Sequence, residues 1–352
     1  MNTEIYDVKK PDTEEYRRAI QRGAELLQRG ELVAFPTETV YGLGGNGLDA
    51  EACRRIYEAK GRPSDNPLIL HVAELAGMER IVSRITPVAE KIFAAFMPGP
   101  ITIILPRAAC VPDAVTGGLD TVAVRMPDHP VARELILAAG LPVAAPSANI
   151  SGRPSPTNGE TVGRDLGGKV GAILDGGATD WGLESTIVDC TEAEGPDTVT
   201  VLRPGAVTAE MLGEIIGQVK AAASPDAAGR EKGLKRAPMA PGMKYTHYAP
   251  KAPLTLATDE ERLLTELRRR EATGERVGLL LFEEDLPAFA GVYKRALGRR
   301  ENLREIAAGL YYNLRAFDQL PVDSLLCPIV PDEGLGAAIM NRLRKAAGGR
   351  II

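Results

Sequence analysis

The run Leu32-Val33-Ala34-Phe35, followed at once by Pro36-Thr37-Glu38-Thr39-Val40-Tyr41-Gly42-Leu43-Gly44, constrains this chain more than any other stretch. Four consecutive apolar residues closed by a proline read as a short buried strand. The strand ends in a loop carrying three hydroxyls, Thr37, Thr39 and Tyr41, and two glycines, ahead of a helix expected over about residues 50–59. In open α/β sheets the crevice at such strand ends is where ligands bind. Taken alone, the loop is better explained as a polar turn. Its companions along the chain decide otherwise.

Strands are expected at 68–72, 101–105, 121–125, 142–145, 172–174, 185–189 and 198–202, with helices at 13–29, 74–83, 87–96, 130–139 and 208–219. This predicts a first domain over residues 1–219 built on a mixed, twisted α/β sheet of roughly seven strands. Apolar periodicity then lapses. Residues 220–250 read as a linker, but Pro241-Gly242-Met243-Lys244-Tyr245-Thr246-His247-Tyr248-Ala249-Pro250 is too rich in donors and aromatics for a passive spacer and is expected to dock. Over 251–352, strands at 254–257, 277–282, 292–297 and 324–329 alternate with helices at 259–271, 301–317 and 335–347, the rhythm of a small Rossmann-like parallel α/β domain. No Gly-x-Gly-x-x-Gly follows its first strand, so dinucleotide binding is not expected there.

A chain of 352 residues has room for two such domains. The formal net charge of −5 argues against a generally basic nucleic-acid coat, yet a local basic pocket for an anionic ligand remains open. The four cysteines form no Cys-x-x-Cys pair and only three histidines could join them, which argues against zinc and against a disulfide framework. Cys53 and Cys110 read as small core residues. The N-terminus lacks a signal-peptide pattern and no apolar run is long enough to cross a bilayer, so the expected location is cytoplasmic, with no membrane partner.

Lys60, Arg62, Arg125 and Arg203 fall at or near strand ends, together with Thr37, Thr39, Asn66, Ser147, Asn149, Ser151 and Ser185. Cations with hydroxyls and amides suit a polyphosphate: the cations neutralise charge, Arg offers a bidentate fork, and the neutral groups bond the remaining oxygens. Each residue alone is better read as a solvated cation or turn hydroxyl; the recurrence is what points to an anion pocket. Only Glu38, Asp65 and Glu184 lie near these motifs, too few for a carboxylate metal centre, and there is no Walker A loop and no nucleophile–base–acid triad.

Taken together, Pro36-Thr37-Glu38-Thr39-Val40-Tyr41-Gly42-Leu43, Lys60-x-Arg62-Pro63 with Asn66-Pro67-Leu68, Pro98-Gly99-Pro100-x-Thr102, Arg125-x-Pro127, Ser147-x-Asn149-x-Ser151-Gly152, Ser185-Thr186 and Arg203-Pro204-Gly205 resemble the YrdC-like threonylcarbamoyl-adenylate synthases. The likeness spans about residues 15–215, and the linker and second domain resemble the longer, two-domain branch of that family.

The resemblance implies a nucleotidyltransferase that makes threonylcarbamoyl-AMP and pyrophosphate from L-threonine, bicarbonate and ATP. The product would feed threonylcarbamoyladenosine formation in tRNA by downstream transferase proteins. The substrate's own carbamate is the nucleophile, so catalysis rests on positioning and charge stabilisation. Lys60 and Arg62 are the implied catalytic cations. Lys60, Arg62, Asn66, Ser147, Asn149, Ser155 and Arg203 are expected to hold ATP, with Tyr245 reaching back from the linker as a lid. Thr39, His71, Thr121, Arg125, Ala145 and Ser185 are expected to hold threonine, with Arg125 on its carboxylate. Mg²⁺ is expected through the ATP phosphates rather than a protein cage. Two alternatives stand beside this: a module whose basic concave face binds RNA or tRNA without catalysis, which also allows weak RNA binding by a synthase, and a carbamoyltransfer accessory enzyme using carbamoyl phosphate.

Overall fold

The computed structural model describes residues 2–193, 195–222, 247–289 and 293–352. The chain divides into two compact units. The second unit takes in the described C-terminal residues together with two short pieces of the earlier chain, Gly152–Ser155 and Trp181–Leu183; the rest belongs to the first.

The strands of the first unit are β1 (Glu4–Asp7), β2 (Val33–Phe35), β3 (Gly42–Asn46), β4 (Ile69–His71), β5 (Ile101–Pro106), β6 (Thr121–Arg125), β7 (Val143–Ala144), β8 (Ala172–Asp175), β9 (Thr186–Asp189), β10 (Thr198–Arg203) and β11 (Gln218–Ala221). Its helices are α1 (Glu14–Gln28), α2 (Ala50–Lys60), α3 (Leu75–Glu79), α4 (Pro87–Phe96), α5 (Asp113–Thr116), α6 (Pro130–Ala139), α7 (Gly159–Leu166) and α8 (Ala209–Ile215). The strands form one eleven-stranded mixed sheet, β1-β8-β2-β3-β7-β4-β6-β5-β9-β10-β11, rather than the seven or so expected.

Successive side chains of a strand alternate between the faces of the sheet. Leu70, Val122, Val124, Ile101, Ile103 and Val188 point to one face, where they join residues of α2, α4, α7 and α8 in the main core. The opposite face is covered by α1 and α6 only over β2, β7 and β8. Beyond those strands, Ile69, Ile104, Ala123 and Ile187 form a separate small apolar cluster, to which no described helix contributes. Polar residues of β4, β5 and β6 and those just before β9 share this second face.

The second unit is built on a four-stranded sheet, parallel throughout, in the order β12 (Leu254–Ala257), β15 (Ser324–Pro328), β13 (Val277–Phe282), β14 (Lys294–Gly298). Its helices are α9 (Glu260–Ala272), α10 (Leu303–Phe317) and α11 (Leu335–Ala346), close to the expected bounds. Tyr248 stacks on Tyr311 of α10 with centroids 5.2 Å apart. The Gly152–Ser155 piece is tied into this unit: Arg153 pairs with Asp318 at 2.7 Å, Arg315 Nε donates to the Pro154 carbonyl at 2.8 Å, and Ala249 N donates to the Gly152 carbonyl at 3.0 Å. Arg304 lies 3.3 Å over the ring of Trp181.

Candidate active site

The loop after β2 does not lead directly into α2. It turns into β3, antiparallel to β2, and α2 follows. Thr37 braces the turn: its Oγ1 donates to the Val40 carbonyl at 2.7 Å and accepts from Thr39 N at 3.2 Å and Val40 N at 3.3 Å. With that proton placed on Val40, the 2.8 Å contact between the two threonine hydroxyls makes Thr39 the donor to Thr37. Thr39 Oγ1 therefore keeps its lone pairs for other donors. Tyr41 braces as well, donating to the Gly177 carbonyl at 2.7 Å and accepting from Gly176 N at 3.0 Å.

This loop is laced to the Pro146–Asn149 segment by Leu43 N to the Pro146 carbonyl and Ala148 N to the Tyr41 carbonyl, both 2.8 Å. Lys60, the last residue of α2, is buried and reaches the same segment. Its ammonium donates to the Ser147 carbonyl at 2.5 Å, the Asn149 carbonyl at 2.6 Å and Asn149 Oδ1 at 3.3 Å. Ser147 Oγ donates to Asn149 Oδ1. Arg62 Nη2 donates to the carbonyls of Asn66 at 3.2 Å and Pro67 at 3.0 Å, while the buried Asn66 Oδ1 has no hydrogen-bond partner. Asn66 precedes β4, and Ser147 leaves β7, which runs antiparallel to β4, so both stand at the starting end of β4.

The other end of the strand carries a second group. Register aligns His71 with Arg125 across β4 and β6, and the β5–β6 pairing of Ile103 with Val124 sets Thr102 opposite Arg125. Thr102 Oγ1 lies 2.7 Å from Ser185 Oγ. Arg203 closes on Ser185, with Nε donating to its carbonyl at 3.0 Å and Nη2 to its hydroxyl at 3.2 Å. The close approach depends on Gly205, where a Cβ would fall 2.4 Å from Thr186 N. Arg125 Nη2 lies 2.7 Å from Glu38 Oε1. The angle there is not that of a hydrogen bond, so Arg125 Nε and Nη2 and both Glu38 oxygens are buried without hydrogen-bond partners.

His71 is buried in a T-shaped contact with Phe35, ring centroids 6.3 Å apart. Burial, and then the charge of Arg125, push its pKa down to about 3. It is therefore a neutral imidazole, and Nδ1 donates to the Ile69 carbonyl at 3.2 Å, since a carbonyl can only accept. Burial also lowers the pKa of His129, at the start of α6, despite the nearby acids Glu38, Asp180 and Asp128.

Of the expected residues, the structure brings His71, Thr121, Arg125 and Ser185 to the sheet face that carries the Ile69–Ala123–Ile104–Ile187 floor, while Lys60 ends α2. It regroups two of them. Thr121 begins β6 while Arg125 ends it, so the two stand about 13 Å apart on the same face, Thr121 at the Asn66 end. Arg203, expected beside the phosphates, belongs with Ser185. The N–H of Ala145 bonds to the Ile69 carbonyl, and Ala145 is itself buried in the apolar cluster with Val33, Phe35 and Val143. Ser155 is buried and falls in the second unit. Tyr245 lies outside the described residues, as does the linker over 223–246. Cys110 is exposed rather than a core residue.

Sequence reasoning did not place Glu38 or Thr102 in the site. Thr102 carries a signal, being the lone hydroxyl in the apolar run Ile101–Leu105. Glu38 carries only the signal of a carboxylate within the Pro36–Leu43 motif, and nothing in its neighbourhood announces that Arg125 will fold against it.

Comparison with known proteins identifies the family of the chain. The Sua5/YciO/YrdC family model, described as telomere recombination, matches residues 25–205, and the model for the C-terminal domain of threonylcarbamoyl-AMP synthase matches 207–348. The threonylcarbamoyl-AMP synthase of Bacillus subtilis is 48% identical over 95% of this chain and 94% of its own length. That of Pyrococcus abyssi is 43% identical over 95% of each. The crystal structure of P. abyssi Sua5 complexed with L-threonine superposes with a TM-score of 0.89, at 43% identity and over 99% of both chains. Family models, full-length relatives and fold agree that this chain belongs to the two-domain threonylcarbamoyl-AMP synthase family.

Proposed function

We propose that the chain condenses L-threonine, bicarbonate and ATP into threonylcarbamoyl-AMP, with release of pyrophosphate and water. The threonine ammonium group releases a proton to solvent and the amine condenses with bicarbonate to a carbamate with loss of water; a carbamate oxygen then attacks the α-phosphorus of ATP, and the bond from that phosphorus to the oxygen bridging the β-phosphate breaks. The observation that carries this reading is the Arg125 end of the sheet face, where a buried guanidinium, two hydroxyls and a neutral imidazole converge beside an apolar floor. That set suits a small amino acid with a hydroxyl and a methyl group.

In this reading Arg125 takes the threonine carboxylate and Thr39, His71, Ser185 and the carbonyl of Ala145 surround the rest. Arg62, Asn66, Ser147 and Asn149 hold ATP, and Thr121 joins this set because it stands at the Asn66 end. Arg203, bonded to Ser185, is taken as the cation that meets the α-phosphate beside the carbamate, where it would stabilise developing charge. Lys60 acts through the Ser147–Asn149 loop, since its ammonium already meets three loop oxygens. Mg²⁺ would be held by the ATP phosphates and would neutralise part of their charge.

The product would serve tRNA threonylcarbamoylation by downstream transferases, in the cytoplasm; no described helix is long and apolar enough to cross a membrane. RNA binding without catalysis fits less well, because Lys60, Arg62, Arg125 and Arg203 are buried. Phosphate backbones are met by exposed cations. Incubation with ¹³C-bicarbonate, threonine and MgATP tests the reading: it requires a threonylcarbamoyl-AMP product carrying the label, and an unlabelled or absent adduct contradicts it.

A further inference from the structure

The pairing of Glu38 with Arg125 raises a difficulty for a simple carboxylate site. Both side chains are at least 95% buried, and their nearest atoms are 2.7 Å apart. A second carboxylate arriving at Arg125 would leave two anions against one cation in a buried site, which is costly unless a further positive group arrives with it. Yet both Glu38 oxygens, and Nε and Nη2 of Arg125, are without hydrogen bonds. Buried polar atoms in folded proteins rarely lack partners, and such orphans mark where a ligand completes the network.

The other groups near Glu38 do not supply that charge. His129 is held in its neutral form by burial, and His71 beside Arg125 is neutral for the same reason. Asp128 and Asp180, which also face His129, add negative charge. A ligand that carries one positive and one negative group on neighbouring atoms matches both orphan pairs and leaves the net charge of the site unchanged. An α-amino acid zwitterion is such a ligand.

We propose that Glu38 is a specificity-determining residue that accepts the α-ammonium group of the amino-acid substrate, while Arg125 takes its carboxylate. The assignment rests on the reading of this face as the threonine site. It makes the site selective for α-amino acids over hydroxy acids of the same shape. Once the amine has become a carbamate its nitrogen is neutral and keeps one N–H for Glu38.

The test is calorimetric titration of the full chain with L-threonine and with (R)-3-hydroxybutyrate, which is threonine without its amino group. The wild type should prefer threonine by roughly 10- to 100-fold, the scale of a hydrogen bond between charged groups. In Glu38→Gln, threonine should bind about 10-fold or more weakly while 3-hydroxybutyrate holds or improves. Equal losses for both ligands, showing that Glu38 acts only by holding Arg125, overturn the proposal, and so does no change for either. Glu38→Asp keeps the charge and should keep the preference. A wild type binding both ligands within about 3-fold of each other overturns the proposal without any variant. A wild type binding neither removes the threonine site itself, a failure distinct from that of Glu38.

Discussion

The ammonium of Lys60 lies 2.6 Å from the carbonyl oxygen of Asn149 and 3.3 Å from its side-chain oxygen, so the end of α2 and the Ser147–Asn149 loop form one hydrogen-bonded body. Gly61 stops the helix there in the left-handed conformation, at φ 60°, which aims the chain into the Arg62–Asn66 turn. Lys60→Met removes a buried donor and leaves loop oxygens unmet. It should lower stability by about 3 kcal/mol and raise the KM for ATP while sparing threonine affinity. Thermal unfolding and steady-state kinetics read the two effects separately.

The buried, neutral His71 makes stability depend on pH. Its folded pKa is about 3, below the ordinary value of 6.5, so the unfolded chain binds the extra proton as pH falls between those limits. Stability from this group is full above about pH 7 and is lost toward acid, by about 2 kcal/mol from pH 8 to pH 5. His71→Asn should flatten the melting-temperature profile in that window. An unchanged acid limb would show that His71 is not buried as a neutral ring.

Much of the fold was legible because apolar runs such as Ile101–Leu105 and Thr121–Val124 leave few alternatives to a strand. Three strands were not. β1 has a single large aliphatic residue between charged ends. β3, Gly42-Leu43-Gly44-Gly45-Asn46, reads as a loop, and its glycines answer to packing: a Cβ on Gly44 would lie 2.8 Å from both Phe35 and Val143. β11 was hidden at the end of an expected helix over 208–219, which stops at Ile215. The site was legible as a set of residue types at strand ends. Its division into two ends was not, because which residues share an end is decided by strand order and register.

The two hydroxyls of the first loop should separate in their effects. Thr37→Val leaves two buried N–H groups without an acceptor and should cost about 2 kcal/mol of stability. Thr39→Val should change stability by less than about 1 kcal/mol, yet raise the KM for threonine about 10-fold. Denaturant titration with kinetics on both variants checks the division. A Thr37 variant of normal stability would remove the bracing role.

Gly205 marks the closest backbone approach at the Arg125 end. The atoms a Cβ would meet include Thr186 N at 2.4 Å and the Ser185 carbonyl carbon at 2.8 Å, backbone that cannot swing aside. Gly205→Ala should destabilise by about 2 kcal/mol and displace Arg203 from Ser185, lowering kcat more than it weakens ATP binding. A variant with wild-type kcat would show that the Arg203–Ser185 bonds do not matter to the chemical step.

The most direct measurement is pyrophosphate release by the full chain with MgATP, bicarbonate and each amino acid in turn. The account predicts release that requires both threonine and bicarbonate and that falls at least about 100-fold in Arg125→Ala. Release at the same rate without threonine, or an Arg125→Ala chain with unchanged threonine dependence, would contradict it.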